Sequence, residues 1–322
     1  MRKKKLVNYA KYGYLFSIPF IAGFLVFQLY PTINTLILGF TDLKGAGRTE
    51  WDFLTEVGKP WYENYADVFK STSFKKAFTN TWILWGISVI PEYCLALLFA
   101  AWFTDRKLRV KGRGLFKIIF YMPSIITGVA IAQLFSVLFG YPRGAVNDLC
   151  NLFASFFGIQ RENYDFLSNE WSVKWIIIGV NVFMYFGSTL VLIITGILGI
   201  GTDVFEAAEI DGANRRQTFF RITLPCMRPV LTYFIVISTI SGLQLYDVPA
   251  MIIGVHCNNA GLTLLMYIQN QAFSGSYLYN RASAASVILA AMCGAISAVI
   301  FYIRRDKDEA ALKKLRRKKL RE

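Results

Sequence analysis

Long blocks of apolar residues separated by shorter polar segments dominate the pattern of this 322-residue chain. A run of about 20 apolar residues is long enough to cross the hydrocarbon core of a bilayer as a helix. Helices are expected because lipid offers no hydrogen-bond partner to an exposed peptide backbone. The pattern therefore predicts an all-α integral membrane protein with six transmembrane helices. The predicted spans are residues 14–40, 80–103, 115–139, 173–200, 230–255 and 284–303.

The composition agrees with a membrane protein, since 55% of the residues are hydrophobic and 17% are charged. Soluble domains usually carry about 25% charged residues. The net charge of +14 could suggest a nucleic-acid-binding protein, but the basic residues flank the apolar blocks, so we expect no nucleic-acid partner. The five cysteines form no C-x-x-C pair and His256 is the single histidine. The sequence therefore predicts neither a disulfide framework nor a metal site.

The distribution of basic residues predicts how the chain is oriented in the membrane. If both termini lie inside, the inner segments carry 25 Lys and Arg residues and the outer segments carry 9. The positive-inside rule then places both termini in the cytoplasm, with the protein in the plasma or inner membrane. Residues 1–13 would form a cytoplasmic segment and residues 14–303 a transmembrane domain whose first span is an uncleaved anchor. Residues 304–322 would form a basic cytoplasmic tail that attracts anionic membrane lipid.

The loop between the fourth and fifth predicted spans, residues 201–228, has the pattern of two short helices joined at a glycine. Asp203 can cap the first helix, and Glu206 three residues later completes a capping pair. Gly212 can take the left-handed conformation that ends a helix. Pro225 removes a backbone donor and should end the second helix. The pattern predicts a compact cytoplasmic knob with little side-chain bulk on one side, which suits insertion into a groove of another protein.

This loop also carries a motif that resembles a known family. The sequence Glu-Ala-Ala-x-x-Asp-Gly-Ala-x-x-x-Gln-x-Phe, followed by Ile-x-Leu-Pro-x-x-x-Pro, is similar to the EAA loop of binding-protein-dependent ABC importer permeases. Similarity to carbohydrate permeases of the maltose and multiple-sugar type extends over most of the chain, including Tyr121-Met122-Pro123 in the third predicted span. The resemblance implies the type I ABC importer permease fold. It also implies a subunit that forms half of an alternating-access pathway for a sugar or oligosaccharide.

The resemblance further implies the partners of the chain. The residues that would couple transport to an ATPase subunit are Glu206, Ala207, Ala208, Asp211 and Gly212. The chain has no Gly-x-x-x-x-Gly-Lys-Ser/Thr phosphate loop, so we expect no cofactor here, and ATP and magnesium on two separate ATPase subunits. We also expect a second homologous permease, which would be a different chain, with a homodimer as the alternative. The last expected partner is an extracytoplasmic solute-binding protein. The outer segment 253–260 lacks the Thr-x-Gly-Gly-Pro common in sugar permeases, so details of the solute-binding partner transfer poorly.

A candidate substrate pathway comes from polar and aromatic residues that share helical faces inside the fourth and fifth spans. Sugars need amide or hydroxyl partners together with an aromatic platform, and residues at i, i+4 and i+7 lie on one helical face. The candidates are Asn181, Tyr185, Ser188, Ser238, Ser241, Gln244 and the intramembrane acid Glu92. By resemblance to the maltose permeases, the tyrosine and the three serines match positions that line the sugar site, although the residue types differ. Serines in spans also bond their own helix or support packing, so both interpretations stay open.

Three other functions stay open at this point. An ion-coupled secondary transporter needs ionisable groups inside the membrane, and Glu92 and Asp247 are the candidates, but the sequence shows no inverted repeat. An importer permease of the same family could carry a solute other than a sugar. A membrane-embedded enzyme would need a cluster of catalytic groups, and the sequence shows no nucleophile–base pair. We therefore expect a transport subunit without catalytic residues.

Overall fold

The computed structural model describes most of the chain and is helical nearly throughout. The described residues are 10–105, 112–253, 260–275 and 277–304. Most of the predicted N-terminal segment, the basic tail beyond Arg304 and the outer residue His256 lie outside them. Within the described part, β pairing is limited to an isolated antiparallel bridge between Thr41 and Phe53. The fold is therefore all-α, as the hydrophobic pattern predicts.

Twelve helices of the described residues carry the labels used below. They are α1 (Tyr12–Leu38), α2 (Glu63–Lys70), α3 (Thr72–Thr104), α4 (Arg113–Ile125), α5 (Gly128–Leu138), α6 (Ala145–Phe156), α7 (Glu170–Leu198), α8 (Thr202–Ile210), α9 (Arg228–Leu243), α10 (Asp247–Ile253), α11 (Leu264–Phe273) and α12 (Tyr279–Arg304). Helix α1 contains a π-helical turn at Leu25–Leu29. The segment between α8 and α9 is also largely helical and includes a second π-helical turn at Thr218–Thr223.

Five of the described helical segments are long and apolar enough to cross a membrane. They are α1, α3, α7, the consecutive pair α9 and α10, and α12 as far as Ile303. The pair α4 and α5 passes the same test, with a bend of 92° between its two helices. Counting this bent pair as one span gives six. The prediction of an all-α membrane protein with six transmembrane helices is confirmed.

The third predicted span, residues 115–139, is not one straight helix, because the backbone becomes extended at two residues. Ile126 and Thr127 have ψ angles of 143° and 141°. The Thr127 hydroxyl accepts a hydrogen bond from the Ala130 N–H at 3.4 Å and caps α5, as threonine does at the start of a helix. The fifth span is also interrupted, since α9 ends at Leu243 and α10 begins at Asp247. Mean hydropathy over a span does not reveal either break, because it reports burial in lipid and not backbone angles.

The chain divides into two compact units, and each is described by itself. One unit comprises Met1–Ser71 and Ile268–Ala290, and the other comprises Thr72–Tyr267 and Ala291–Glu322. In the first unit the Asn64 amide donates to the carbonyl oxygens of Gly39 and Thr41 and accepts from the Asn280 amide. Because Asn64 and Asn280 are both buried, these hydrogen bonds tie the segment after α1 to the start of α12.

In the second unit, α7 packs against α3 along much of its length and against α4 near its middle. A side chain at Gly187 would overlap the backbone carbonyl of Phe120 in α4. The glycine therefore sets how closely α4 and α7 approach, which is the role of small residues between transmembrane helices. Gly179 lies in the same helix, but nothing lies within 4 Å of the position of an added Cβ there.

These two glycines allow a matched test of the helix contact. We expect Gly187→Ala to lower the apparent unfolding temperature, because overpacking in a tight contact typically costs about 1–3 kcal/mol. Gly179→Ala should leave that temperature unchanged or raise it slightly, since alanine favours the helix. The measurement is thermal unfolding of the two purified variants in detergent. Equal unfolding temperatures for both variants would contradict the close approach of α4 and α7.

Candidate functional site

An open cavity lies between the middle parts of α3 and α7 and the second half of α9. Its polar and aromatic lining residues are Trp85, Ser88, Glu92, Tyr93, Asn181, Tyr185, Ser188, Thr189, Phe234, Ser238 and Ser241. Six of the seven substrate-pathway candidates from the sequence therefore lie in one place. Their spacing predicted a shared face within each helix, and the fold brings the separate faces together.

The cavity lies between two apolar clusters that hold the same helices together. One cluster joins Leu84 of α3 to the first half of α7 and to α10. The other joins Ala96 and Ala100 of α3 to the second half of α7, from Leu190 to Ile197. Most of the cavity-lining residues of α3 and α7 lie between these clusters. Packing at both ends thus holds open a polar, aromatic space at the middle of the helices.

Glu92 is a buried acid that follows Pro91 inside α3. Its carboxyl Oε1 accepts a hydrogen bond from the Thr189 hydroxyl of α7 at 2.5 Å. Both residues line the cavity, so the pair bridges two helices at the cavity wall. A buried acid with a hydrogen-bonding partner avoids the full cost of burying an unpaired polar group. The bond therefore accounts for how α3 accommodates an acidic residue in an apolar span.

Asn181 is the lining residue with an unsatisfied acceptor. It is 4% exposed, and its Oδ1 atom has no hydrogen-bond partner among the described residues. A buried polar atom without a partner costs free energy of about 1–3 kcal/mol. Asn181 also lines the cavity, so its side-chain amide is a candidate hydrogen-bonding group for a ligand there.

Two serines of the cavity make different hydrogen bonds within the protein. The Ser188 hydroxyl donates to the carbonyl oxygen of Tyr185 in its own helix at 2.8 Å, which is the structural role. The Ser238 hydroxyl instead accepts a hydrogen bond from the indole N–H of Trp85 at 3.4 Å. That bond joins α9 to α3 at the cavity wall. Ser238 therefore fixes the orientation of an aromatic side chain, in addition to lining the space.

Sequence reasoning did not select Trp85 for the site, although its ring is a large surface of the cavity. A side chain at Gly242 would overlap this ring, so the glycine of α9 makes room for the indole of α3. The sequence did contain one indication of this room, a glycine one turn after Ser238 on the same helical face. Which aromatic residue of the facing helix fills that room depends on how the two helices align, and the pattern does not give this alignment.

Gln244 is the candidate that does not line the cavity. Its predicted place on the Ser238–Ser241 face requires the helix to continue, but α9 ends at Leu243. Gln244 is exposed at this helix end, with φ of −97° and ψ of 18°. Asp247 begins α10, where a negative side chain suits the helix dipole. The break between α9 and α10 thus removes Gln244 from the predicted face.

A second candidate site is the predicted knob, whose first helix is α8. Gly212 has φ of 74°, which confirms its predicted left-handed conformation. The Ala213 N–H donates to the carbonyl oxygen of Ala208 at 2.9 Å, and the Gly212 N–H donates to that of Glu209 at 3.1 Å. This pair of bonds is a Schellman motif, the most common way in which a glycine ends a helix. The loop therefore turns sharply just after Ile210.

Two details of the knob differ from the sequence prediction. Asp203 does not cap α8, because the helix already begins at Thr202 and Gly201 is the capping residue. The capping box lies instead at Asn214 and Gln217, whose side chains and backbone N–H groups bond reciprocally. Pro225 does not end the second helical segment either. The π-helical turn at Thr218–Thr223 ends two residues before the proline, and both prolines and π-helical turns are places where a helix can bend.

The predicted coupling residues are not equally accessible. Glu206, Ala207, Asp211 and Gly212 are exposed, whereas Ala208 is 5% exposed and packs inside the chain. Sequence reasoning missed Ile210, which is 86% exposed at the end of α8. The loop is fixed to the rest of the chain by an ion pair between Arg215 and Asp105, at 3.3 Å. The exposed surface at the end of α8 therefore combines acids, small residues and the large apolar side chain of Ile210.

Comparison with known proteins identifies the family. The model of the family described as "Binding-protein-dependent transport system inner membrane component" matches residues 92–306. That stretch is more than half of the chain and contains the knob and most of the residues that line the cavity. The chain belongs to this family. It is thus an inner-membrane component of a binding-protein-dependent transport system, a multi-pass membrane protein whose EAA-type loop the sequence already indicates.

Similar proteins and a similar solved structure agree with this family assignment. The permease is 32% identical over 298 residues to the probable ABC transporter permease protein YesP of Bacillus subtilis, covering 90% of this chain and 89% of the relative. It is 30% identical over 305 residues to the lactose transport system permease protein LacF of Rhizobium radiobacter, covering 92% and 94%. Among solved structures, a chain of a bacterial ABC transporter that imports the acidic polysaccharide alginate matches with a TM-score of 0.75, 24% identity and coverage of 91% and 94%. The structural match shows the ABC importer permease fold.

The hydrogen bond between Glu92 and Thr189 of this permease can be tested by removing its donor. We expect Thr189→Val to lower the unfolding temperature, because the loss leaves a buried acceptor unpaired at a cost of about 1–3 kcal/mol. Thr195→Val is the matched control in α7, because the Thr195 hydroxyl is exposed and bonds to its own helix at Leu192. Thermal unfolding of both variants in detergent is the measurement. A greater loss for Thr195→Val than for Thr189→Val is the contrary result.

Proposed function

We propose that this permease forms half of the translocation pathway of an ATP-driven importer for a sugar or oligosaccharide. The observation that carries the proposal is the cavity between α3, α7 and α9, with its hydroxyl, amide and aromatic lining at the middle of three spans. Binding sites of transporters lie near the middle of the membrane. The family assignment supplies the transport function, and the chemistry of the cavity points to the class of solute.

The lining suits a sugar because it offers hydrogen-bonding groups and flat aromatic surfaces together. Asn181 Oδ1 is an unpaired acceptor for a ligand hydroxyl, and Ser241 adds a hydroxyl group. Trp85 and Tyr185 can stack on the apolar face of a sugar ring, as aromatic side chains provide large apolar surfaces with a polar edge. Glu92 is the one charged residue in the described lining. The lactose and arabinooligosaccharide permeases among the relatives support a carbohydrate solute.

The proposed energy source lies on other chains. Two ATPase subunits would bind ATP and magnesium, a second permease would complete the pathway, and an extracytoplasmic solute-binding protein would deliver the sugar. One structural neighbour is described as an alginate transporter in complex with its periplasmic protein, which supports the last partner. Closure of the ATPase subunits would favour the outward-open state, and hydrolysis would restore the inward-open state. A ligand shifts such an equilibrium only through its different affinities for the two states.

We place the ATPase contact at the exposed end of α8. Glu206, Ala207 and Asp211 give a low-profile, acidic surface, and Ile210 is a large apolar residue that projects from it. Single buried apolar anchors often supply much of the energy of a protein interface. Ala208 supports the helix from inside the chain and does not make direct contact. This arrangement requires the loop, and with it both termini, to lie in the cytoplasm.

Substitutions inside and outside the cavity test the substrate site. We expect Asn181→Leu and Tyr185→Ala to weaken the apparent affinity for the transported sugar by about tenfold, since a lost hydrogen bond of about 1.4 kcal/mol corresponds to that factor. Gln244→Ala should leave the affinity unchanged, because Gln244 does not line the cavity. Radiolabelled lactose and arabinooligosaccharides are first tested for uptake by the unaltered complex. The variants are then compared with the sugar that this complex imports. Wild-type affinity in both cavity variants would move the sugar site to the partner permease.

Two left-handed glycines allow a matched test of coupling. We expect Gly212→Val to abolish uptake, because a side chain at positive φ costs about 1–2 kcal/mol and disrupts the end of α8. Gly158→Val carries a similar backbone cost, with φ of 71°, but lies outside the knob and should retain uptake. Nothing lies within 4 Å of an added Cβ at either glycine. Uptake and ATP hydrolysis by the assembled complex are the measurements.

Ile210→Asp provides an independent variant of the same surface. It should lower binding of the purified ATPase subunits by at least tenfold, because it replaces the proposed apolar anchor with a charge. The exposed position of Ile210 means that folding of the permease should not change. Normal assembly of Ile210→Asp with the ATPase subunits, together with normal uptake by Gly212→Val, refutes the coupling assignment and leaves the sugar site untouched.

A further inference from the structure

An apolar surface outside the candidate sites lies on α6. Leu149, Leu152, Phe153 and Phe156 recur at i, i+3, i+4 and i+7, so they lie on one face of the helix. All four are exposed, and Phe156 reaches 84%. The exposed side chains of Phe157 and Ile159 continue this apolar surface past the end of the helix. A surface of this size is unusual for water-exposed protein and indicates contact with a membrane or a partner.

The opposite face of α6 is fixed to the protein. The Asn147 amide donates to the carbonyl oxygen of Tyr164 and accepts from the Tyr164 N–H, both at 3.0 Å. One turn further, the Asn151 amide donates to the Asn163 side chain at 2.7 Å. These bonds fix the rotation of the helix about its own axis. The apolar face is therefore directed away from the protein by specific contacts, and it cannot rotate inward without breaking them.

The same contacts place α6 at the ends of membrane-crossing helices. Tyr164 lies six residues before the start of α7, and the ring of Phe166 packs on Phe139, just after α5, at 5.5 Å. At the start of α6 the Gly144 N–H donates to the carbonyl oxygen of Gly140 at 2.7 Å. The helix is thus held close to the point where α7 enters the apolar part of the bilayer.

We propose that α6 lies flat in the membrane surface, with the Leu149–Phe156 face inserted at the boundary between lipid headgroups and acyl chains. Such a position is typical of helices with one apolar and one polar face. Asp148 is the one charged residue between positions 145 and 159, so apolar contact, and not attraction to anionic lipid, would hold the helix. The spans on both sides keep it at the membrane, which makes high intrinsic affinity unnecessary. The proposal does not depend on which solute the permease carries.

Site-directed spin labelling tests this position directly. The background is the full-length chain in which the native cysteines are replaced by serine. These are Cys94, Cys150, Cys226, Cys257 and Cys293. Phe153→Cys and Phe156→Cys each carry a nitroxide on the apolar face. If one of these variants does not fold, the other still provides the test. Glu162→Cys, in the exposed part of the following loop, is the control.

The measurement is the collision rate of each nitroxide with two relaxing agents in phosphatidylcholine vesicles, which reports whether the label lies in lipid or in water. Oxygen concentrates in lipid, whereas a nickel chelate present on both sides of the bilayer stays in water. We expect labels at 153 and 156 to collide several-fold more with oxygen than with nickel, and the label at 162 to show the reverse preference. High nickel collision at 153 and 156 would show that the face is in water and overturn the proposal. Protection of these labels from both agents would also overturn it, because a protein partner or a second copy would then cover α6.

Discussion

The packing of α3 against α7 is the interaction on which the cavity depends. Small side chains such as Ala96 and Ala100 are fully buried in this contact, and they let the two backbones approach closely, as in other membrane helix pairs. Midway along the contact, the Glu92–Thr189 hydrogen bond replaces apolar packing. The helices are thus joined firmly at both ends and by polar groups between, and the cavity is the space that this arrangement leaves beside α9.

The sequence was sufficient for the architecture because lipid allows few solutions. Every backbone group in the bilayer core must be bonded within its own segment, so a long apolar block predicts a helix with little ambiguity. The faces of the cavity were also predictable where the helix is regular, as for Asn181 and Tyr185 in α7. Gly212 was predictable for a similar reason, because few residues other than glycine adopt a positive φ at a helix end.

The sequence did not predict features that depend on contacts between elements. The bend after Ile125 and the end of α9 at Leu243 fall inside segments that each pass as one span by length and mean hydropathy. The position of the indole of Trp85 depends on a glycine of another helix, and the burial of Ala208 depends on what packs beneath α8. Each of these is set by neighbours far apart in sequence. A pattern within one segment therefore identifies which residues share a face, but not what that face meets.

The uninterrupted length of α7 gives the molecule a mechanical property. The helix runs from Glu170 to Leu198, and three residues separate it from α8. Tyr185, at the cavity, lies 13 residues before Leu198, which corresponds to about 20 Å along the helix axis. A tilt of α7 by about 10° around its end at Leu198 therefore moves Tyr185 sideways by roughly 3 Å, close to the length of one hydrogen bond. If α7 moves as one rigid body, a small rotation at the knob would be amplified at the cavity, which is what the proposed coupling requires.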